Sequence, residues 1–354
     1  MVSSEIKEVM AIDGSLGEGG GQVLRSSLAL ALLTGRPFAM KNIRQRRAKP
    51  GLMAQHLKAV EAASAVGAAR VEGARLGSQN LVFEPAGIRS GEFHLDIGTA
   101  GSISLVLQTV LLPLSFANEH SAITLIGGTH VPWSPCFHYL DWQWLHYMRQ
   151  IGFRGQLALE AAGFYPRGGG RVRAIVQPAS MLAPLRLTDR GPLKRIRGIS
   201  GVANLHASVA ERQKHRAIEG LRGVHDSIEI ETVRLSSPSK GTFLLLLAEF
   251  EKSQCCFYGL GAVHKSAEHV ADEAVGEMLD FLGTDGSVDY YLADQLVLPL
   301  ALVSGVSEVR TSRVTQHLVT NAEIVKMFLP VAIEIDAEIG RPGLIRIRGA
   351  KLPV

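Results

Sequence analysis

Apolar residues recur every three to four positions in some stretches and every second position in others, the spacings of a buried helix face and of a half-buried strand. Helical spacing is clearest over residues 22–34, closed by Gly35, over 52–66, closed by Gly67, and over 102–112, stopped by Pro113. It also predicts helices over 139–150, 203–220, 266–282, 291–303 and 321–328. Strand-like runs fall at 38–43, 80–84, 123–126, 171–176, 242–250 and 332–335. Glycine-rich turns at 17–21, 98–101, 127–128 and 168–170 separate these stretches, and the alternation predicts an α/β or α+β class.

Gly-Gly-Gly occurs at 19–21 and again at 168–170. Around it recurs the order strand, glycine turn, helix, strand, helix, strands, as duplicated βαβαββ units would give. From about residue 186 to 285 the character changes: arginine and glutamate become frequent, and four consecutive leucines stand at 244–247. We therefore expect a large domain of repeated units from residues 1–185 and 286–354, with a smaller α/β domain inserted at 186–285. A chain of 354 residues can build both cores.

Hydrophobic residues make up 46% and charged residues 20%, which excludes general disorder. The net charge of +4 permits a phosphate-rich partner without requiring one. Cys136, Cys255 and Cys256 form no C-x-x-C pair, so neither a disulfide framework nor a thiolate zinc site is expected. The N-terminus has no apolar run of a signal peptide, and the most apolar window, 103–116, is too short for a membrane span and contains Gln108. These features predict a cytoplasmic protein with no membrane association and leave a homodimer open.

Candidate chemistry begins at Gly17-Glu18-Gly19-Gly20-Gly21-Gln22, just ahead of an amphipathic helix. Such a loop can bring backbone N–H groups to phosphates, with Glu18 holding a divalent metal, although a tight strand-to-helix turn would use the same glycines. Arg25 shares a helix face with Gln22, so a carboxylate, an amide and a guanidinium converge. Residues 44–49 then place four cations in six positions before a helix bearing Gln55 and His56, a pattern suited to polyphosphate or to RNA phosphates and equally to solvated surface. Gln108, and Tyr291, Asp294 and Gln295 on one helix face, are polar groups in apolar helices: they could make core hydrogen bonds or line a nucleotide pocket. Thr320-x-x-Glu323 has the capping-box pattern, which sets His317 just ahead of the last helix, where the dipole attracts phosphate. That position suits a nitrogen nucleophile facing a nucleotide. Residues 259–266 imitate a phosphate-binding P-loop, but His264 stands where its second glycine must be, and no structural zinc site is expected among the histidines.

Taken in order, D-G-x-x-x-E-G-G-G-Q at 13–22, I-R-x-x-R-A-K-P-G-L-x-x-Q-H-L at 43–57, A-G-S-x-x-L-V-L-Q at 100–108, G-F-Y-P-x-G-G-G at 163–170, Y-L-A-D-Q-L-V-L-P at 291–299 and the His317 segment resemble the RNA 3′-terminal phosphate cyclase family. The likeness runs unbroken from about residue 9 to 348. It implies repeated βαβαββ units with a small insertion, and ATP-dependent conversion of an RNA 3′-phosphate to a 2′,3′-cyclic phosphodiester with release of AMP and pyrophosphate. By motif position, the resemblance implies His317 as nucleophile and Glu18 as ligand of Mg or Mn, with Arg25, Arg44 and Arg47 as candidates for holding triphosphate or RNA phosphate. It further implies a nucleotide pocket of Gln108, Pro135, Tyr291, Asp294 and Gln295, with Gln22, Gln55 and His56 as neighbours. This chain departs from the family in having Gln45-Arg46 for Ala-Gly, His130 for Asp or Asn, and His138 for Asp. Those changes bear on the loop path and on adenosine and ion contacts. A cyclase-like ribosome-assembly protein, which lacks the nucleophilic histidine, is disfavoured by His317; an RNA-binding module predicts RNA affinity without a covalent intermediate.

Overall fold

The computed structural model describes residues 8–350. Strand pairing divides most of them into three units of one plan. The first contains β1 (Met10–Asp13), α1 (Gly21–Thr34), β2 (Phe38–Lys41), α2 (Ala54–Gly67), β3 (Arg70–Glu72) and β4 (Leu81–Glu84). The second contains β5 (Glu92–Asp96), α3 (Ile103–Leu114), β6 (Ser121–Gly127), α4 (Phe137–Tyr139) running through a π-helical turn at Leu140–Trp144 into α5 (Leu145–Ile151), β7 (Arg154–Ala161) and β8 (Gly170–Gln177). The third opens with β9 (Arg186–Leu187) and is then interrupted by β10 (Leu193–Ala203), α6 (Ser208–Gly220), β11 (Ile228–Arg234), β12 (Gly241–Phe250), β13 (Gln254–Leu260) and α7 (Ala267–Leu282). It resumes with α8 (Tyr290–Ala301), β14 (Gly305–Thr311), α9 (Gln316–Phe328), β15 (Ala332–Ile335) and β16 (Gly343–Gly349).

Sheet orders are β1-β2-β4-β3, β5-β6-β8-β7 and β9-β14-β16-β15. In each, the first two strands are parallel, as a helical crossover requires, and the other pairings are antiparallel. One core gathers the helices of all three units against the inner sheet faces, with Leu24 and Leu28 of α1, Leu107 of α3, Leu296 of α8 and Leu318 of α9 meeting Met40, Leu125 and Ile347.

The interrupting segment makes its own sheet, β11-β10-β12-β13. Leu244 and Leu246 of β12 pack with Ala271 and Met278 of α7 on one face. Phe243, Leu245 and Leu247 pack on Tyr139, Ala162 and Phe164 on the other. Burial on both faces explains the uninterrupted leucine run. We propose that this segment is the inserted domain expected at 186–285, although Arg186 and Leu187 pair with β14 and so belong to the third unit's sheet. No helix among the described residues is long and apolar enough to cross a membrane.

Several predicted boundaries shift for local reasons. Gly67 lies inside α2, where a Cβ would strike Leu32 Cδ2 of α1, and Ala68 takes the left-handed position that ends the helix. Pro113 sits in the last turn of α3, which continues to Leu114. Helix α6 begins at Ser208, since 193–203 form a strand whose Arg195, Arg197, Gly198 and Gly201 hide its apolar alternation. Helix α9 begins at Gln316, capped by Thr315 Oγ1 accepting from Leu318 N at 3.1 Å, and Thr320 instead donates back to Gln316 O. His317 therefore lies within the first turn.

Asp289 ties the third unit to the second. Its carboxylate caps α8 by accepting from Tyr291 N and Leu292 N and also accepts from Tyr139 Oη at 2.8 Å and Gln143 Nε2 at 2.9 Å. Burial pushes the carboxyl up to about 6 against these hydrogen bonds. Asp289→Ala removes a cap and strands two buried donors, so urea denaturation should show a loss of about 3 kcal/mol.

Candidate active site

The loop from β1 to α1 takes its shape from Gly17 and Gly19, whose φ values of 57° and 59° are left-handed. Thr320 Oγ1 fills the space a Cβ on Gly17 would need, so α9 packs directly on this loop. Helix α1 starts with no side-chain cap and no acid in its first turn, leaving its first N–H groups to an anion. Glu18 Oε1 stands 3.3 Å from His317 Nδ1 and Oε2 stands 3.4 Å from Arg47 Nη2, all three groups being partly exposed. Gln22, Gly20 and Thr320 line the same small cleft with Glu18 and His317.

The basic loop folds over the glycine loop. Arg46 Nη1 donates to Gly17 O at 3.1 Å, and Arg47 Nη2 lies 3.2 Å from where a Cβ on Gly20 would project. Arg44, at φ 54°, donates to Lys49 O at 2.8 Å and Gly51 O at 2.9 Å, closing its own loop. Arg46, where the family pattern has glycine, thus acts as a strut between the two loops.

Beneath the glycine loop lies a charged floor. A Cβ on Gly21 would meet His56 Nε2 and stand 2.8 Å from Arg25 Nη1. His56 Nδ1 accepts from Met53 N at 3.2 Å, and burial, then Arg25 and Arg44, drive the imidazole down to about 3. His56 is therefore neutral and offers its Nε2–H beside Gly21. Burial lowers Arg25 to about 10, opposed by Asp294, and raises Asp294 to about 7, opposed by Arg25. Asn321 of α9 joins the floor, donating to Asp294 O at 2.8 Å and accepting from Ser26 Oγ at 2.7 Å. Gln108 Nε2 donates to Gln295 Oε1 at 2.7 Å, and Gln295 Nε2 to Tyr291 O at 2.9 Å, so α3 and α8 meet through the polar groups singled out in the sequence. Tyr291 is 47% exposed, and its ring packs on that of Tyr290 with centroids 4.1 Å apart. Gln55 Oε1 accepts from Ser102 N at 3.1 Å and fixes the start of α3 against α2.

Pro135 lies off the cleft lining, in the loop before α4, where Tyr258 Oη donates to Ser134 O at 2.8 Å. His130 and His138 form a buried pair, Nε2 to Nδ1 at 2.9 Å, at the seam with the inserted sheet, beside Phe164 and Phe243. Burial keeps both neutral, so these departures are packing changes away from the cleft. Thr320 and Asn321 escaped the sequence reading. Their signal is the i, i+3 and i, i+4 spacing from His317, which places all three on one helix face once α9 starts at Gln316.

A family model described as RNA 3′-terminal phosphate cyclase matches residues 16–335. This chain belongs to the RNA 3′-terminal phosphate cyclase family. As a member it is an enzyme of the ligase class. Among the family's curated proteins, the RNA 3′-terminal phosphate cyclase of Nostoc punctiforme is 41% identical over 335 residues, 93% of this chain and 96% of its own. That of Methylococcus capsulatus is 43% identical over 350 residues, 96% of this chain and 97% of its own. That of Ralstonia nicotianae is 44% identical over 330 residues, 92% and 93%. A solved enolpyruvyl transferase, NikO from Streptomyces tendae, aligns over 97% of this chain and 49% of its own at 10% identity with a TM-score of 0.40, too slight a likeness to support a statement on fold or function.

Removing the floor's cation should move its neighbours in known directions. In Arg25→Gln, NMR titration should find His56 protonating above about 3 and Asp294 deprotonating above about 7. Because His56 is depressed in the folded state, its contribution to stability is lost as pH falls from about 6.5 towards 3. That loss should be smaller in the variant.

Proposed function

We propose that this chain uses ATP to convert an RNA 3′-phosphate into a 2′,3′-cyclic phosphodiester, with His317 carrying the adenylyl group. One observation carries the reading: His317 Nδ1 faces Glu18 at 3.3 Å, opposite an uncapped helix start ringed by Arg47 and Arg25. A triphosphate fits the cradle, because Gly20 and Gly21 present bare backbone where any Cβ would meet Arg47, His56 or Arg25. Among the described residues no group of three or more His, Cys, Asp or Glu could hold a metal ion, so a divalent ion, Mg or Mn, would take most of its ligands from the nucleotide and water. Glu18 would hold the ion together with phosphate oxygens, and the ion would neutralise charge on the departing pyrophosphate.

Glu18 at Nδ1 fixes the imidazole so that Nε2 keeps its lone pair for the α-phosphorus of ATP. As the P–N bond forms and the bond to pyrophosphate breaks, the ring becomes cationic, and the Glu18 carboxylate stabilises that charge. Arg25, Arg47 and the Nε2–H of His56 bind phosphate oxygens, while Arg44 keeps its loop closed. The base would lie by Tyr291 and Pro135, with Gln108, Asp294 and Gln295 beneath it and Gln22 and Gln55 at the edges. An oxygen of the RNA 3′-phosphate next takes the adenylyl group and breaks the P–N bond. The vicinal 2′-hydroxyl then loses its proton as it attacks the 3′-phosphorus and expels AMP. All three cysteines are buried and free, in keeping with a reducing compartment, and we place the reaction in the cytoplasm.

Incubation with a divalent metal and α-labelled ATP should give protein-bound label that survives denaturation and is released by acid, with none on His317→Ala. Label on that variant would move the nucleophile elsewhere, and a blank wild type would leave RNA binding without adenylylation. A DNA 3′-phosphate should accept AMP yet never cyclise, for want of the 2′-hydroxyl, as chromatography of the products would show.

A further inference from the structure

Two aromatic rings that the proposed chemistry does not use stand exposed on two loops joined by a bridge. His130 and Phe164 form an isolated parallel bridge, and Thr129 N and His130 N both donate to Gly163 O, at 2.9 and 3.0 Å. Parallel pairing sends both segments out of the same end, so Tyr165, one residue past the bridge, and Trp133, three residues past it, sit on loops that leave it together. Trp133 is 99% exposed and Tyr165 is 69% exposed. Trp133 also holds φ at 65°, a backbone conformation that L side chains rarely adopt. An indole in a disfavoured conformation, buried against nothing, contributes little to folding.

Both loops are braced. Ser134 Oγ donates to Val131 O at 3.2 Å and Ser134 O accepts from Tyr258. Phe164 N donates to Ser239 Oγ at 2.8 Å, Gly168 N to Phe164 O at 2.7 Å and Arg167 Nη1 to Pro238 O at 2.7 Å. The rings are thus preorganised for a ligand. Their loops connect to the cleft through packed backbone. Gly168 rests on Thr99 and Ala100, Gly101 rests on Gln55, and Gln55 precedes His56. The segments 98–101, 129–135, 163–170 and 236–241 contain Arg167 and Lys240 and no Asp or Glu, so charge complementarity favours a polyanion.

We propose that Trp133 and Tyr165 form a stacking platform for the unpaired bases next to the RNA 3′ end, with Arg167 and Lys240 meeting the intervening phosphates. This rests on the cyclase reading and extends it to how the RNA is held. Aromatic faces grip single strands whatever the base, so the platform selects an unpaired end over a base-paired one.

The test uses full-length wild type, Trp133→Ala, Tyr165→Ala and the double variant, with an RNA oligonucleotide ending in a 3′-phosphate. Adenylylation by ATP alone should be unchanged in all four, while KM for the RNA and its dissociation constant by fluorescence anisotropy should rise about tenfold per ring removed. Abasic positions beside the 3′ end should weaken binding to the wild type and leave the double variant unaffected, and Trp133→Phe should restore most of the affinity. Wild-type RNA affinity in a normally adenylylated double variant would overturn the platform, as would a change in sedimentation with unchanged RNA affinity, which would make the patch a contact between copies. A wild type that fails to adenylylate would sink the cyclase reading instead, while anisotropy would still read the platform directly.

Discussion

Arg25 and Asp294 share a floor in which each favours the charge of the other. Desolvation works against the charge on each, and each opposes that effect on the other, so without Arg25 the carboxyl of Asp294 would hold its proton more tightly. Asn321 of α9 bridges α1 of the first unit and α8 of the third at that point, accepting from Ser26 Oγ and donating to Asp294 O. The floor obliges Gly21 to stay without a side chain, since Arg25 and His56 fill the space above it. The uncapped start of α1, Glu18 and His317 then follow as the rim of that floor.

The floor is a product of repetition. Arg25 is the fifth residue of α1, Gln108 the sixth of α3, and Asp294 and Gln295 the fifth and sixth of α8, each helix following the first strand of its unit. Three copies of one plan bring the same helical turn to the middle of the molecule. A polar residue that would be a lone defect in a single apolar helix there finds partners from the other two. No single unit holds the constellation, which fits its candidate residues being scattered from Glu18 to His317 along the chain.

That scattering also decides what could be read in advance. The helices α1 and α3 and the alternation of strands and helices were visible because apolar period and glycine or proline punctuation agree there. The strand β10 was not, because its charged residues and glycines serve contacts with other elements rather than its own pattern. Glu18, Arg25 and Gln295 could be singled out as polar residues in apolar or glycine-rich surroundings. Asn321 and Thr320 could not, because Thr320-x-x-Glu323 imitates a helix start inside α9, while the true cap, Thr315, lies one residue before the helix. Only the family likeness points to Pro135, and in the fold it stands off the cleft lining, in the loop that Tyr258 braces.

The interruption of the third unit has a consequence for how the chain acquires its shape. β9 and β14 are hydrogen-bonded neighbours, yet residues 188–304 lie between them and include a complete four-stranded sheet with two helices. On a ribosome the first two units emerge with all of their strands while β9 still lacks its partner. Its ring closes cheaply only after the intervening segment has collapsed and drawn its own ends together, so that segment acts as a folded spacer that shortens an otherwise long search. The floor beneath the glycine loop, which needs α8 and α9, is then among the last features to assemble, and a truncated or stalled chain carries the cradle without the histidine that faces it.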